Sequence, residues 1–187
     1  MTLPNVRRSF LLILACASVA TSVAGDEGHH QEAHVHGAAR LQVAIEGRHA
    51  ELILRSPAAN LVGFEHQPRN AEQEATVAQA SEWLGVNPLV QNARQDCVVT
   101  EASVHHQQGG KEGHGHDKHP EHDQASGHSD FEVTQRIECD SELSDPLTTP
   151  LTTRFASIES LSVEWLSPNG QGHSELHSGE TKIPLDH

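Results

Sequence analysis

Leu41-Gln42-Val43-Ala44-Ile45-Glu46-Gly47-Arg48-His49-Ala50-Glu51-Leu52-Ile53-Leu54 is the stretch that decides the fold. Leu41, Val43 and Ile45 alternate with less apolar residues, the pattern breaks at Gly47-Arg48, and it resumes with Ala50, Leu52 and Leu54; a period of two puts one face of a strand on a core. A two-residue turn whose glycine can adopt positive φ closes the pair into a β-hairpin.

The same signal recurs downstream. Cys97, Val99 and Glu101 share one face of a strand, and Phe131, Val133, Ile137 and Cys139 share one face of another. With Cys97 opposite Cys139 in an antiparallel pair, Val99 meets Ile137 and Ser103 meets Val133, so apolar residues stay together. Leu161, Val163 and Trp165 begin a further strand, Ser167-Pro168-Asn169-Gly170 turns it, and Gly172 to His177 returns. Ser56 to Pro68 keeps neither period for long and is expected to be an ordered connector. A helix follows it: Asn70 can cap, Gln73 sits at the capping-box position, Gly85 ends it, and Val77, Ala80 and Leu84, with Trp83 beside them, form the buried face. The expected fold class is α+β, a mainly antiparallel sheet with one principal helix and a long disordered histidine-rich hairpin loop.

The chain has 187 residues, 35% hydrophobic and 3% aromatic, enough for one modest domain and too few for a large enzyme barrel. Its 26 acidic against 12 basic residues give a formal charge of -14, which repels a phosphate backbone and argues against a nucleic-acid partner. Residues 1–24 read as a cleaved export signal: Arg7 and Arg8, an apolar run from Phe10 to Ala17 too short to span a membrane, then Ser22-Val23-Ala24. Arg7-Arg8-Ser9-Phe10-Leu11 leaves twin-arginine export open beside the ordinary route, and Cys16 offers lipidation as an alternative. Residues 25–37 form a flexible histidine-containing segment, and 38–187 a single globular domain with a histidine-rich loop inserted at 105–128. Removal of the signal leaves Cys97 and Cys139, in an exported chain most simply a disulfide, with buried free thiols as the alternative.

Sixteen histidines are the compositional outlier. Seven fall in the inserted loop: His105, His106, His114, His116, His119, His122 and His128, among Glu112, Asp117, Glu121 and Asp123. With almost nothing apolar, the segment cannot build a core of its own. Imidazoles in H-x-H and H-x-x-H spacings can converge on Zn²⁺, and copper(II) and nickel would bind the same nitrogens. His34 and His36, entering the first strand, form a second candidate that the strand would anchor. His66, beside Glu65, offers a further ligand; the alternative is that both residues merely hydrogen-bond the connector in place. His49, His173 and His177 fall on polar strand faces, where solvated roles are the simpler expectation. No H-E-x-x-H helix and no nucleophile elbow occurs, so the chain is not expected to be an enzyme.

His34-Val35-His36-Gly37-Ala38, Leu41 to Ile45, Ser56-Pro57-Ala58 and Asn60-Leu61-Val62-Gly63-Phe64-Glu65-His66-Gln67-Pro68 resemble the periplasmic zinc uptake proteins called ZrgA. The likeness continues through Cys97, the histidine-rich insertion, Asp130-Phe131-Glu132-Val133, Cys139 and Leu166 to Gly170, while Glu175 to His187 matches poorly. The resemblance implies a Gram-negative periplasm and a soluble accessory protein that captures zinc and assists its import, with a periplasmic zinc-binding protein or an ABC zinc transporter as partner. A copper(II)- or nickel-binding protein for metal tolerance is the competing expectation, although the lone Met1 lies in the signal and thioether chemistry for copper(I) is absent.

Overall fold

The alternation from Leu41 to Leu54 folds as the period dictates. In the computed structural model, which describes residues 35–108, 128–144 and 146–185, β1 (Ala38–Glu46) and β2 (His49–Pro57) pair antiparallel through Leu41↔Leu54, Val43↔Leu52 and Ile45↔Ala50. Gly47 takes φ +61° in the two-residue turn between them.

The connector contains more structure than its sequence announces. Ala58–Val62 forms a short helix, α1, closed by Gly63 at φ +84°. The principal helix, α2 (Ala71–Val86), starts where Asn70 accepts from the Gln73 N–H, but Gln73 Oε1 reaches back to the Arg69 N–H rather than to its cap residue. Gly85 lies inside the helix, which ends at Asn87. Ala80 and Leu84 are its buried residues, with Val77 and Trp83 packed partly against the core. Trp83 meets Phe155 edge-on at 5.3 Å.

β3 (Cys97–Gln108) and β4 (Ser129–Cys139) pair antiparallel, and Cys97 faces Cys139 in a disulfide. Val99 meets Ile137 as expected, but a bulge between Val99 and Glu101 then shifts the register by one, so Val104, not Ser103, meets Val133. The inserted residue inverts the facing of everything after it. Glu101 consequently leaves the core face and approaches Arg136, while His105 and His106 are strand residues rather than loop residues. The loop proper, 109–127, and its expected disorder lie outside the described residues.

β6 (Ser160–Ser167) and β7 (Gly170–His177) form the C-terminal hairpin. β6 runs parallel to β1, which makes a mixed six-stranded sheet in the order β3-β4-β2-β1-β6-β7; its other pairings are antiparallel. A minor pair, β5 (Leu147–Thr148) with β8 (Lys182–Ile183), and a one-turn helix, α3 (Leu151–Arg154), complete the elements. Leu41, Leu54, Phe131, Val133, Leu161 and Val163 carry one face of the sheet into the core with Leu84, Leu89, Leu147, Leu151 and Ile158. The other face is polar, as a one-sided sheet allows; there Arg136 pairs with Glu51 and Glu101, and Arg55 with Glu132. Among the described residues no helix is long and apolar enough to cross a membrane.

Candidate metal centre

Glu65 sits where the connector leaves α1. Phe64 and His66 stack on one another with ring centroids 5.1 Å apart, and this pairing turns the intervening Glu65 to the other side of the chain. Its carboxylate meets an imidazole at each oxygen: His36 Nε2 stands 2.8 Å from Oε1, and His128 Nδ1 stands 2.6 Å from Oε2. The carboxylate side chain is 14% exposed, whereas the imidazoles are 68% and 53% exposed, so a sheltered anion is flanked by two rings open to solvent. A second tie holds the connector in place, since Ser129 Oγ donates to the Glu65 carbonyl at 2.7 Å. Three distant segments thereby meet at one end of the sheet: the turn before β1, the exit of α1 and the entry to β4.

The His36 contact is close but no hydrogen bond passes along it. Among the described residues Glu65 Oε1 is one of two buried side-chain polar atoms without a hydrogen-bond partner, the other being His106 Nε2. A buried carboxylate oxygen 2.8 Å from an imidazole nitrogen is satisfied either by a proton on His36 or by a cation held between the two. Carboxylate oxygen and imidazole nitrogen are both zinc ligands at about 2.0–2.2 Å, and two tetrahedral ligands stand roughly 3.3 Å apart, so the 2.8 Å pair would open by about half an ångström around an ion.

The expected ligands distribute unevenly. His36 and His128 reach Glu65; His66 does not, because its Nδ1 lies 2.7 Å from the neighbouring Gln67 carbonyl. His105 and His106 point to opposite faces of β3, as successive strand residues must. His105 Nε2 takes Ser103 Oγ at 2.9 Å on the polar face, while His106 stacks on Phe131 with centroids 4.6 Å apart on the core face. Burial holds the His106 pKa below the ordinary histidine value against the opposing pull of Asp130, which leaves a neutral ring. His34, His114, His116, His119 and His122 lie outside the described residues.

Asp96, Cys97 and Cys139 also bring three ligand atoms within 4.8 Å of one another. The sulfurs are joined to each other, so neither is a thiolate, and the cluster offers a metal only one carboxylate. Asp96 has a structural occupation instead, accepting from Ser141 Oγ and from Asn92 Nδ2.

The model of the ZrgA family zinc uptake proteins matches residues 33–185. The chain belongs to that family. No curated protein matches it. Membership of ZrgA makes zinc uptake the setting of this chain and zinc the ion to test against the centre. The matched span contains His36, Glu65 and His128, and the disulfide agrees with an exported ZrgA chain. Glu65 is the functional candidate that sequence reasoning passed over in favour of its neighbour His66. Its only local signal was a carboxylate beside a histidine, and the partners that distinguish it come from positions 36 and 128.

Proposed function

We propose that this chain is a periplasmic zinc carrier, exported by its N-terminal signal, that captures the ion at a centre made by Glu65 with His36 and His128. The histidines of the inserted loop gather further ions near it, and the cargo passes to the import machinery, an ABC zinc transporter or its binding protein. The work is carriage, without catalysis. One observation carries this reading: a sheltered carboxylate with a separate imidazole at each oxygen, in a chain of a zinc uptake family. A carboxylate and two solvent-open imidazoles leave coordination positions free, which suits an ion that must be handed on rather than locked in a closed four-ligand site.

Chelator competition on the protein resolves its tightest zinc equivalent. Glu65→Gln keeps the side chain's shape and removes the charge; it should weaken that equivalent by more than the roughly 10–100-fold typical of losing an outer ligand partner, while His66→Ala leaves it unchanged. An unaltered tightest equivalent in Glu65→Gln would reject the centre. Delivery has a genetic test: in cells lacking the ABC zinc transporter, deleting this chain should cause no additional loss of zinc accumulation. Competition with nickel and copper(II) at equal free ion separates uptake from metal tolerance.

A further inference from the structure

We infer that Asn60, which offers no atom to the proposed centre, is the positioning residue that fixes His36 against Glu65 and so sets zinc affinity; the inference rests on that centre. Asn60 is 4% exposed, on α1, and its carboxamide is spent on the backbone next to His36. Oδ1 accepts from the Gly37 N–H at 2.9 Å, and Nδ2 donates to the Ala38 carbonyl at 2.9 Å and to Ser56 Oγ at 3.2 Å. One planar amide thus grips two successive residues of the incoming chain. Gly37 is held from the other side too, because its carbonyl accepts from the N–H groups of Glu159 and Ser160 at 2.8 and 2.9 Å.

The residue after His36 therefore has both its backbone groups fixed, in a left-handed conformation at φ +84°. Beside the bond from the Ala38 N–H to the Val35 carbonyl at 3.1 Å, the clamp is what orders the backbone at His36, and each backbone residue that must be ordered upon binding costs about 1–2 kcal/mol. Asn60 also lies five positions before Glu65 on the same connector. The same connector consequently carries the clamp for one ligand, Asn60 on α1, and a second ligand, Glu65, three residues beyond the end of that helix. On the third ligand the corresponding tie is Ser129, which precedes none of this chemistry yet binds the Glu65 carbonyl directly after His128.

The test is a double-mutant cycle on the intact chain, read as the affinity of the tightest zinc equivalent by chelator competition, with circular dichroism to confirm folding. His36→Ala is measured first; if it leaves affinity unchanged, the centre itself is wrong and the inference falls with it. If His36→Ala weakens binding, Asn60→Ala in the natural background should lose about 10–100-fold, yet change affinity less than about threefold when His36 is already alanine. Equal losses in both backgrounds would make Asn60 a general fold residue and overturn the inference, as would no loss in either. Should the variants fail to fold, hydrogen exchange of the Gly37 amide in the natural, zinc-free chain decides: slow exchange supports a clamp built before the metal arrives, and exchange at the rate of an exposed amide overturns it.

Discussion

Gln135 is a polar residue in the middle of an apolar strand face, 2% exposed between Val133 and Ile137. Its Nε2 donates to the carbonyls of Leu84 at 2.6 Å and Asn87 at 2.8 Å, and its Oε1 accepts from the Leu89 N–H at 3.0 Å, so one side chain closes the end of α2 onto the sheet. Gln135→Glu changes no volume but puts a carboxylate oxygen against two carbonyl oxygens. The folded state can relieve that contact only by keeping the acid protonated, with the O–H donating to one carbonyl, and burial acts in the same direction. The folded pKa is then raised above the unfolded glutamate value of about 4.3. The sign follows: the folded state binds the proton more tightly, so the penalty is smallest below about pH 4.3 and grows as pH rises, by about 1.4 kcal/mol per unit until the folded pKa is reached. If that pKa reaches neutrality, the loss at pH 7 is about 4 kcal/mol, or roughly 8–16 °C in Tm for a domain of this size. Urea unfolding followed by the fluorescence of Trp83 and Trp165, at pH 4.5 and 7, measures it. Gln135→Leu, which cannot titrate, serves as control with a pH-independent change. An equal loss for Gln135→Glu at both pH values would refute the reasoning.

Replacing Cys97 and Cys139 together should destabilise the chain by about 4 kcal/mol in the chain-entropy account for a separation of 42 residues, read as a lower urea midpoint than that of the oxidised protein. Burial works against ionisation of Asp96, but hydrogen bonds from Ser141 and Asn92 together hold its pKa below 3.8. Its contribution is therefore complete above that value and lost as pH falls through the lower folded value; Asp96→Asn should flatten the acid limb of stability below pH 4, and identical acid limbs would contradict this. Gly37→Ala should cost about 1–2 kcal/mol for the left-handed backbone, because the added Cβ also arrives 3.0 Å from the Glu159 carboxylate carbon; thermal unfolding checks it. Deleting 109–127 should leave cooperative unfolding intact while lowering the zinc stoichiometry counted by titration.

The hairpin of β1 and β2 was legible because its apolar residues keep one parity on both sides of a turn that glycine marks. The first part of the β3–β4 register was legible for the same reason, and the disulfide because Cys97 and Cys139 are the two cysteines beyond the N-terminal 24 residues. The bulge was not: Val98, Val99 and Thr100 are all β-branched, so that run offers acceptable strand residues to either face and gives no sign of where an extra residue enters. α1 was missed because five residues are too few to express a helical period. Histidine identity alone pointed toward His66, but facing is set by the Phe64 stack, and Glu65 gains its partners through long-range folding. His36 was legible as an imidazole at a strand entry and His128 as a member of the histidine-rich insertion; their convergence on one carboxylate was not.

The parallel contact between β1 and β6 has a consequence for biogenesis. Among the described strands β1 is the first to be synthesised, yet one of its edges waits for Ser160–Leu166, more than a hundred residues later, before its hydrogen bonds can close. Throughout that interval the early hairpin carries a bare, apolar-faced edge of the kind that recruits other chains. A chaperone that keeps the chain extended until its last hairpin is available would guard this edge, and truncation before Ser160 should turn a protein that folds into one that aggregates.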